Sequence, residues 1–256
     1  MIHNTAIIDS SAEIASDVSI GPYSVIGADV KIDSGTTVGP HVVINGPTTI
    51  GKNNQIFQFA SVGEQCQDKK YNGEPTGLEI GDNNVIREFV TLQRGTIQDR
   101  GMTSIGNGNL FMAYVHVGHD SVVGSDIVFA NNATLAGHVS VGDGAILGGF
   151  TGIHQFCQVG AFSMSGMFSA VNKDIPAFVM VQGNMASAHG MNYEGMRRRG
   201  YGKPLINNLR KAYKTVYRSG LSLADAIAEL EANAENSAEM QLFIDSLKSS
   251  KRGITR

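Results

Sequence analysis

The residues best equipped for chemistry are histidines, and their spacing is regular. His116-Val117-Gly118-His119-Asp120 is followed by Gly137-His138 and then by His154-Gln155. Positions 119, 137 and 155 are 18 apart, as are Asp120 and His138. An imidazole takes a proton from an attacking hydroxyl or amine near neutral pH, and an adjacent carboxylate such as Asp120 holds it in orientation. A glycine one interval from a histidine offers a bare backbone N–H, the donor an acyl transfer needs for its tetrahedral oxyanion. The same side chains admit a second chemistry, because His116, His119 and His138 are the donors of a three-histidine zinc site shared across a trimer interface. The cysteines compete poorly as nucleophiles. Cys157 occupies a small-residue packing position, and Cys66 lies in a loop with no helix start beside it to activate a thiolate.

The interval of 18 is three times a shorter period. From Ile2 an aliphatic residue recurs at every sixth position through Ile8, Ile14, Ile20, Ile26, Ile32, Val38, Ile44, Ile50, Ile56 and Val62, and again at Ile80, Ile86 and Leu92. One residue out of step, the pattern runs from Ile105 through Phe111, Val117, Leu135 and Ile153 to Val159, with Ser165 breaking it before Val171. An α-helical face recurs at 3.6 residues, so no helix fits. A short strand that turns a corner every six residues does. Three sides close a triangular coil, and successive coils stack as parallel strands about 4.8 Å apart. The predicted fold is mainly β: a left-handed parallel β-helix of hexapeptide repeats, followed by a small C-terminal α-helical domain. The expected division is 1–185 and 186–256. None of His3, His41, His116, His119, His138 and His154 takes the inward phase, so all are expected to face outward. The polar segments 64–79 and 93–104 interrupt the period and read as loops thrown out of the coil. Beyond Gly190, Pro204 suits a helix start, Leu205, Leu209, Ala212 and Val216 form an apolar stripe, and Ser222 with Asp225 resembles a capping box.

Composition narrows the function classes. The chain has 256 residues, 42% hydrophobic and 17% charged, with 31 glycines and no tryptophan, which suits a thin structure of many turns. A net charge of −3 argues against broad nucleic-acid binding. Two cysteines make no disulfide framework and fit a reducing compartment. The first residues lack the basic and apolar regions of a signal peptide, and no apolar run reaches the roughly 20 residues of a membrane span, so a cytoplasmic location without membrane insertion is expected.

Several segments are more specific than the hexads: Gln67 to Pro75, His116 to Asp120, Leu135 to Val139, His154 to Cys157, Asn192 to Gly200 and the tail Arg252 to Arg256. Along nearly its whole length the chain resembles the UDP-N-acetylglucosamine O-acyltransferase family, which catalyses the first step of lipid A synthesis. The resemblance implies a homotrimer that needs no metal or cofactor and moves a 3-hydroxyacyl group from acyl carrier protein to the sugar 3-hydroxyl. It implies His119 as general base, Asp120 as its support and Gly137 N–H as oxyanion donor. Asp68, Lys70, His116, His138, His154 and Gln155 would line the sugar and diphosphate site, while Asn192, Glu194, Arg198 and Arg199 would hold the nucleotide. Met167 stands where the family has its acyl-length ruler, and methionine there implies a medium chain. One departure is Gln93, where the family usually has histidine beside the sugar; it keeps open a 3-amino sugar acceptor. A trimeric zinc hydratase is the alternative from another class.

Overall fold

Why six residues make one side is visible in the interior of the computed structural model, which describes residues 1–235 and 237–256. Ile26, Ile44, Val62, Leu92, Val117, Leu135 and Ile153 stack directly above one another, none more than 2% exposed. Each removes an aliphatic side chain from water, worth about 1.5–3 kcal/mol, and successive coils repeat the same fit. The strands form three parallel faces of nine, eight and ten strands, the last closed by one antiparallel strand. The architecture is a left-handed parallel β-helix.

The nine-stranded first face begins at Ile7–Ile8, the eight-stranded second face at Glu13–Ile14, and the ten-stranded third face at Ser19–Ile20. Register follows the interval of 18: His116 pairs with Thr134, and Thr134 with Gly152. Between faces the backbone turns through left-handed residues that are seldom glycine, such as His41 (φ 55°), Asp120 (φ 57°) and His138 (φ 62°). Ser165 breaks the apolar pattern without orphaning its hydroxyl, which meets Thr151 Oγ1 at 2.9 Å inside the coil.

Two segments leave the coil, and both leave from the corner between the first and second faces. The first lies between the strands Ser61–Glu64 and Gly77–Ile80, the second between Thr91–Gln93 and Met102–Ile105. Arg94 ties them together. Its backbone N–H donates to Glu64 O (3.1 Å), and its guanidinium donates to Tyr71 OH and to Gly46 O.

After the antiparallel strand Ser187–Met191 come helices α1 (Tyr193–Arg198), α2 (Lys203–Arg218), α3 (Leu223–Asn233) and α4 (Ala238–Lys248). Pro204 sits in the first turn of α2, whose Leu209, Ala212, Tyr213 and Val216 are buried. Ser222 caps α3 by accepting from Asp225 N–H. The C-terminal tail returns to the β-helix through the buried carboxylate of Asp174, which accepts from Gln158 N–H (2.7 Å), Ser250 Oγ–H (2.8 Å), Lys251 N–H (3.0 Å) and Arg252 N–H (3.1 Å). Among the described residues no helix is long and apolar enough to cross a membrane.

Candidate active site

The two loops and the corner between the first and second faces enclose an open cavity of about 570 Å³. Of the residues singled out by sequence, Asp68, Lys70, His119, His138 and Gln155 line it. His119 follows a strand of the first face, and the stack places Gly137 above it, where His138 N–H donates to His119 O (2.9 Å). The His119 imidazole sets its Nε2 edge against Gly137. A Cβ there would stand 2.4 Å from His119 Nε2 and 2.5 Å from Cε1. Any side chain at 137 would displace the ring, so glycine is required for a reason that corner geometry does not supply.

The Gly137 N–H is open, as are those of Ala28, His119 and Gln155 at the same hexad position of this corner among the described residues. At the same hexad position on the next corner, Lys52, Asn107 and Ser125 donate their N–H to Asp82 Oδ1, Ser125 Oγ and Asp143 Oδ1, each from a neighbouring coil. Among the described residues Gly137 N–H has no such protein acceptor.

His119 takes the outward phase of the coil as expected, yet outward does not mean exposed. His119 is 8% exposed and Asp120 2%, because the loop after Gln93 covers them. The Asp120 carboxylate accepts from His119 Nδ1–H (2.8 Å), from Thr96 N–H (3.0 Å) and from Thr96 Oγ–H (2.6 Å). Burial works to raise the Asp120 pKa; the hydrogen bonds from His119 and Thr96 outweigh it and hold the carboxyl below its ordinary value. An ionised carboxylate only accepts, so Nδ1 of His119 carries the proton and Nε2 is left free to accept one. His138 stacks on Phe156 (4.4 Å between centroids, 9°) and stands edge-on to His119 (4.8 Å, 87°). Its Nδ1 meets Asp99 Oδ2 at 2.8 Å.

The remaining predicted residues lie elsewhere. His116 is on the first face, its Nδ1 2.7 Å from Thr91 Oγ1, and burial followed by the nearby His119 lowers its pKa. His154 is exposed and borders an apolar recess on the same face, with Ala136, Ala170 and Met185. Gln93 is buried at the root of the second loop. Met167, 55% exposed, sits at the corner between the third and first faces. Asn192, Glu194, Arg198 and Arg199 gather at the corner between the second and third faces. There Asn192 caps α1 and donates to Phe162 O, Glu194 pairs with Arg198, and Arg199 donates to Gly144 O. Within one chain these four do not meet the cavity.

Sequence reasoning missed seven lining residues: Ser140, Phe156 and Gln158 on the coil, and Gln98 with three others outside it. Thr96 and Asp99 stand with Gln98 on the second loop and Lys251 on the C-terminal tail. None of these four has a periodic signal; only the breakdown of the hexads marked the loop.

The three-histidine zinc expectation does not match this geometry. The donors that converge are His119, Asp120 and His138, with His116 bonded to Thr91 instead. The Asp120 oxygens are already occupied by three donors, and both converging Nδ1 atoms are turned to carboxylates. Burial pushes the Cys157 thiol up to about 11 and raises that of Cys66, which removes both as nucleophiles.

Comparison with known proteins gives the same direction. The model described as UDP N-acetylglucosamine O-acyltransferase, domain 2, matches residues 174–255, and that of the bacterial transferase hexapeptide matches 11–46 and 102–137. The chain is 62% identical over 255 residues to the acyl-[acyl-carrier-protein]--UDP-N-acetylglucosamine O-acyltransferase of Thiobacillus denitrificans, covering 100% of this chain and 99% of that one. Its identity to the enzyme of that name from Stutzerimonas stutzeri is 57%, with the same coverage. The solved structure of LpxA from Acinetobacter baumannii superposes with a TM-score of 0.98 at 55% identity, covering 100% of this chain and 99% of that chain. With the hexad coil, the helical tail and this full-length similarity in agreement, the chain belongs to the UDP-N-acetylglucosamine O-acyltransferase family.

Proposed function

We propose that this protein transfers a 3-hydroxyacyl group from acyl carrier protein to the 3-hydroxyl of UDP-N-acetylglucosamine, as the first step of lipid A synthesis in the cytoplasm. The observation that carries the mechanism is the His119 imidazole, fixed by Asp120 at Nδ1 and lying with Nε2 over the bare backbone of Gly137. The sugar hydroxyl gives its proton to Nε2 as its oxygen attacks the thioester carbonyl. The Gly137 N–H, free of protein acceptors among the described residues, supports the oxyanion. Collapse breaks the C–S bond, and the imidazolium returns the proton to the departing sulfur. The new bond is a C–O ester, and no covalent enzyme intermediate or metal is required.

Lys70 and Lys251 are the cavity's lysines and suit a diphosphate. The nucleotide residues Asn192, Glu194, Arg198 and Arg199 stand at another corner, which favours a homotrimer whose sites are shared between copies. A stripe of exposed aromatics supports assembly. Tyr23, His41, Phe59, Phe89 and Tyr114 stack one above another along the corner between the third and first faces, with Phe150 and Phe168 farther along it. Phe59, Phe89 and Tyr114 are 49%, 43% and 55% exposed in a single chain, an apolar ladder that suits an interface. Met167, on the same corner, would end the acyl groove and select a medium chain.

The test is incubation of the purified protein with UDP-N-acetylglucosamine and a series of 3-hydroxyacyl carrier proteins, with products read by mass spectrometry. An acylated sugar from a medium chain, shifting to longer chains in Met167→Gly, is expected. No product with any donor would sink the substrate assignment.

A further inference from the structure

The second loop makes two separate carboxylate connections, one to each imidazole of the cavity. Thr96, 1% exposed, gives both its N–H and its hydroxyl to Asp120, the carboxylate that orients His119. Gly95 makes this approach possible, since a Cβ there would stand 2.8 Å from Asp120 Oδ1 and 2.2 Å from Met102 N. The Thr96 carbonyl then accepts from Gly101 N–H (2.9 Å) and Asp99 N–H (3.3 Å), closing a tight turn. That turn carries the Asp99 carboxylate to His138 Nδ1.

The alternative partner for His138 is close. Asp120 Oδ2 lies 4.0 Å from His138 Nδ1 and 2.8 Å from His119 Nδ1. One carboxylate oxygen therefore stands between two imidazole N–H groups. Asp99 takes the second of them, so Asp120 is left to His119 and Thr96. Stacking on Phe156 restrains the His138 ring, and its Nε2 is the nitrogen left uncommitted. The other charged groups lining the cavity that His138 faces are Asp68, Lys70 and Lys251.

We propose that Thr96 and Asp99 are positioning residues for the acyl transfer: Thr96 acts on His119 through Asp120, and Asp99 holds His138 away from Asp120. This rests on the reading of His119 as general base. The loop is thus a clasp with two attachment points, and its work is to keep two neighbouring imidazoles from sharing one carboxylate.

The experiment is steady-state kinetics on Thr96→Val, Thr96→Ser, Asp99→Ala, His119→Ala and the pair His138→Phe and Asp99→Ala/His138→Phe, with thermal midpoints recorded for each. Thr96→Val and Asp99→Ala are expected to lower kcat about tenfold or more, with the KM for the sugar nucleotide changed much less. Thr96→Ser restores the hydroxyl and should return kcat to within about threefold of wild type. Because Asp99 sits on an exposed turn, its variants report even if Thr96→Val fails to fold. The double variant separates positioning from general support of the loop: once His138 is gone, removing Asp99 should cost almost nothing. An Asp99→Ala loss that persists undiminished in the His138→Phe background would overturn the proposal, as would wild-type kcat in both Thr96→Val and Asp99→Ala. Wild-type turnover in His119→Ala would instead overturn the base assignment beneath it.

Discussion

His41 and His138 are built alike and placed differently. Each occupies the same position of its hexad, each takes a left-handed backbone (φ 55° and 62°), and each stacks on an aromatic ring from a neighbouring coil. His41 lies between Tyr23 and Phe59 on a corner that the chain never leaves, exposed and with no carboxylate partner among the described residues. His138 stands on the corner from which both loops depart, and there Asp99 and Asp120 meet it. The coil supplies a ladder of outward side chains on every corner at regular register. What turns one ladder into a site is loop cover, which buries His119 and Asp120 and brings Asp99 to His138.

Substitutions along the two ladders can break this contrast. The largest effect is expected for Gly137→Ala, whose methyl would displace the His119 ring. Activity should fall by about a hundredfold or more, as expected when a catalytic group moves by an ångström, and a full-rate Gly137→Ala enzyme would refute the packing argument. Next comes the histidine pair. His138→Ala should lower kcat/KM by about tenfold or more, whereas His41→Ala should leave the chemistry within about twofold of wild type under conditions where assembly is complete. A smaller effect on turnover, but a larger one on assembly, is expected of Phe89→Asp. A charge in the aromatic stripe should raise the concentration of half-assembly at least tenfold, which for a trimer is about 2.7 kcal/mol in the assembly equilibrium, measurable by light scattering. An unchanged assembly profile would remove the stripe from the interface.

The smallest effect concerns pH and stability. The folded pKa of Asp120 is lower than its unfolded value, so its contribution is fully present above the unfolded pKa and is lost as pH falls through the folded one. In urea titrations the gap between wild type and Asp120→Asn should be widest near pH 7 and narrow below about pH 4. A gap that widens on acidification would contradict the sign.

Much of this was legible in the sequence for a physical reason. A parallel coil makes contact order periodic, so an interval of 18 converts directly into adjacency, and His119, Gly137 and Gln155 could be stacked on paper. The same rule could not show that His119 is buried, because the cover comes from a segment outside the period. Nor could it give the reason for Gly137, which is the volume of an imidazole one coil away. Thr96 and Asp99 were unreadable because a loop's register depends on its own turn, here closed on the Thr96 carbonyl. Lys251 was unreadable for a longer-range reason: it reaches the cavity only because the buried Asp174 captures the tail.

The most direct test of the central claim compares His119→Ala with His41→Ala in single-turnover acyl transfer to UDP-N-acetylglucosamine. Loss of a general base should slow the His119 variant by about 10²–10⁴, while the His41 variant transfers at the wild-type rate. Equal rates in the two variants would contradict the account.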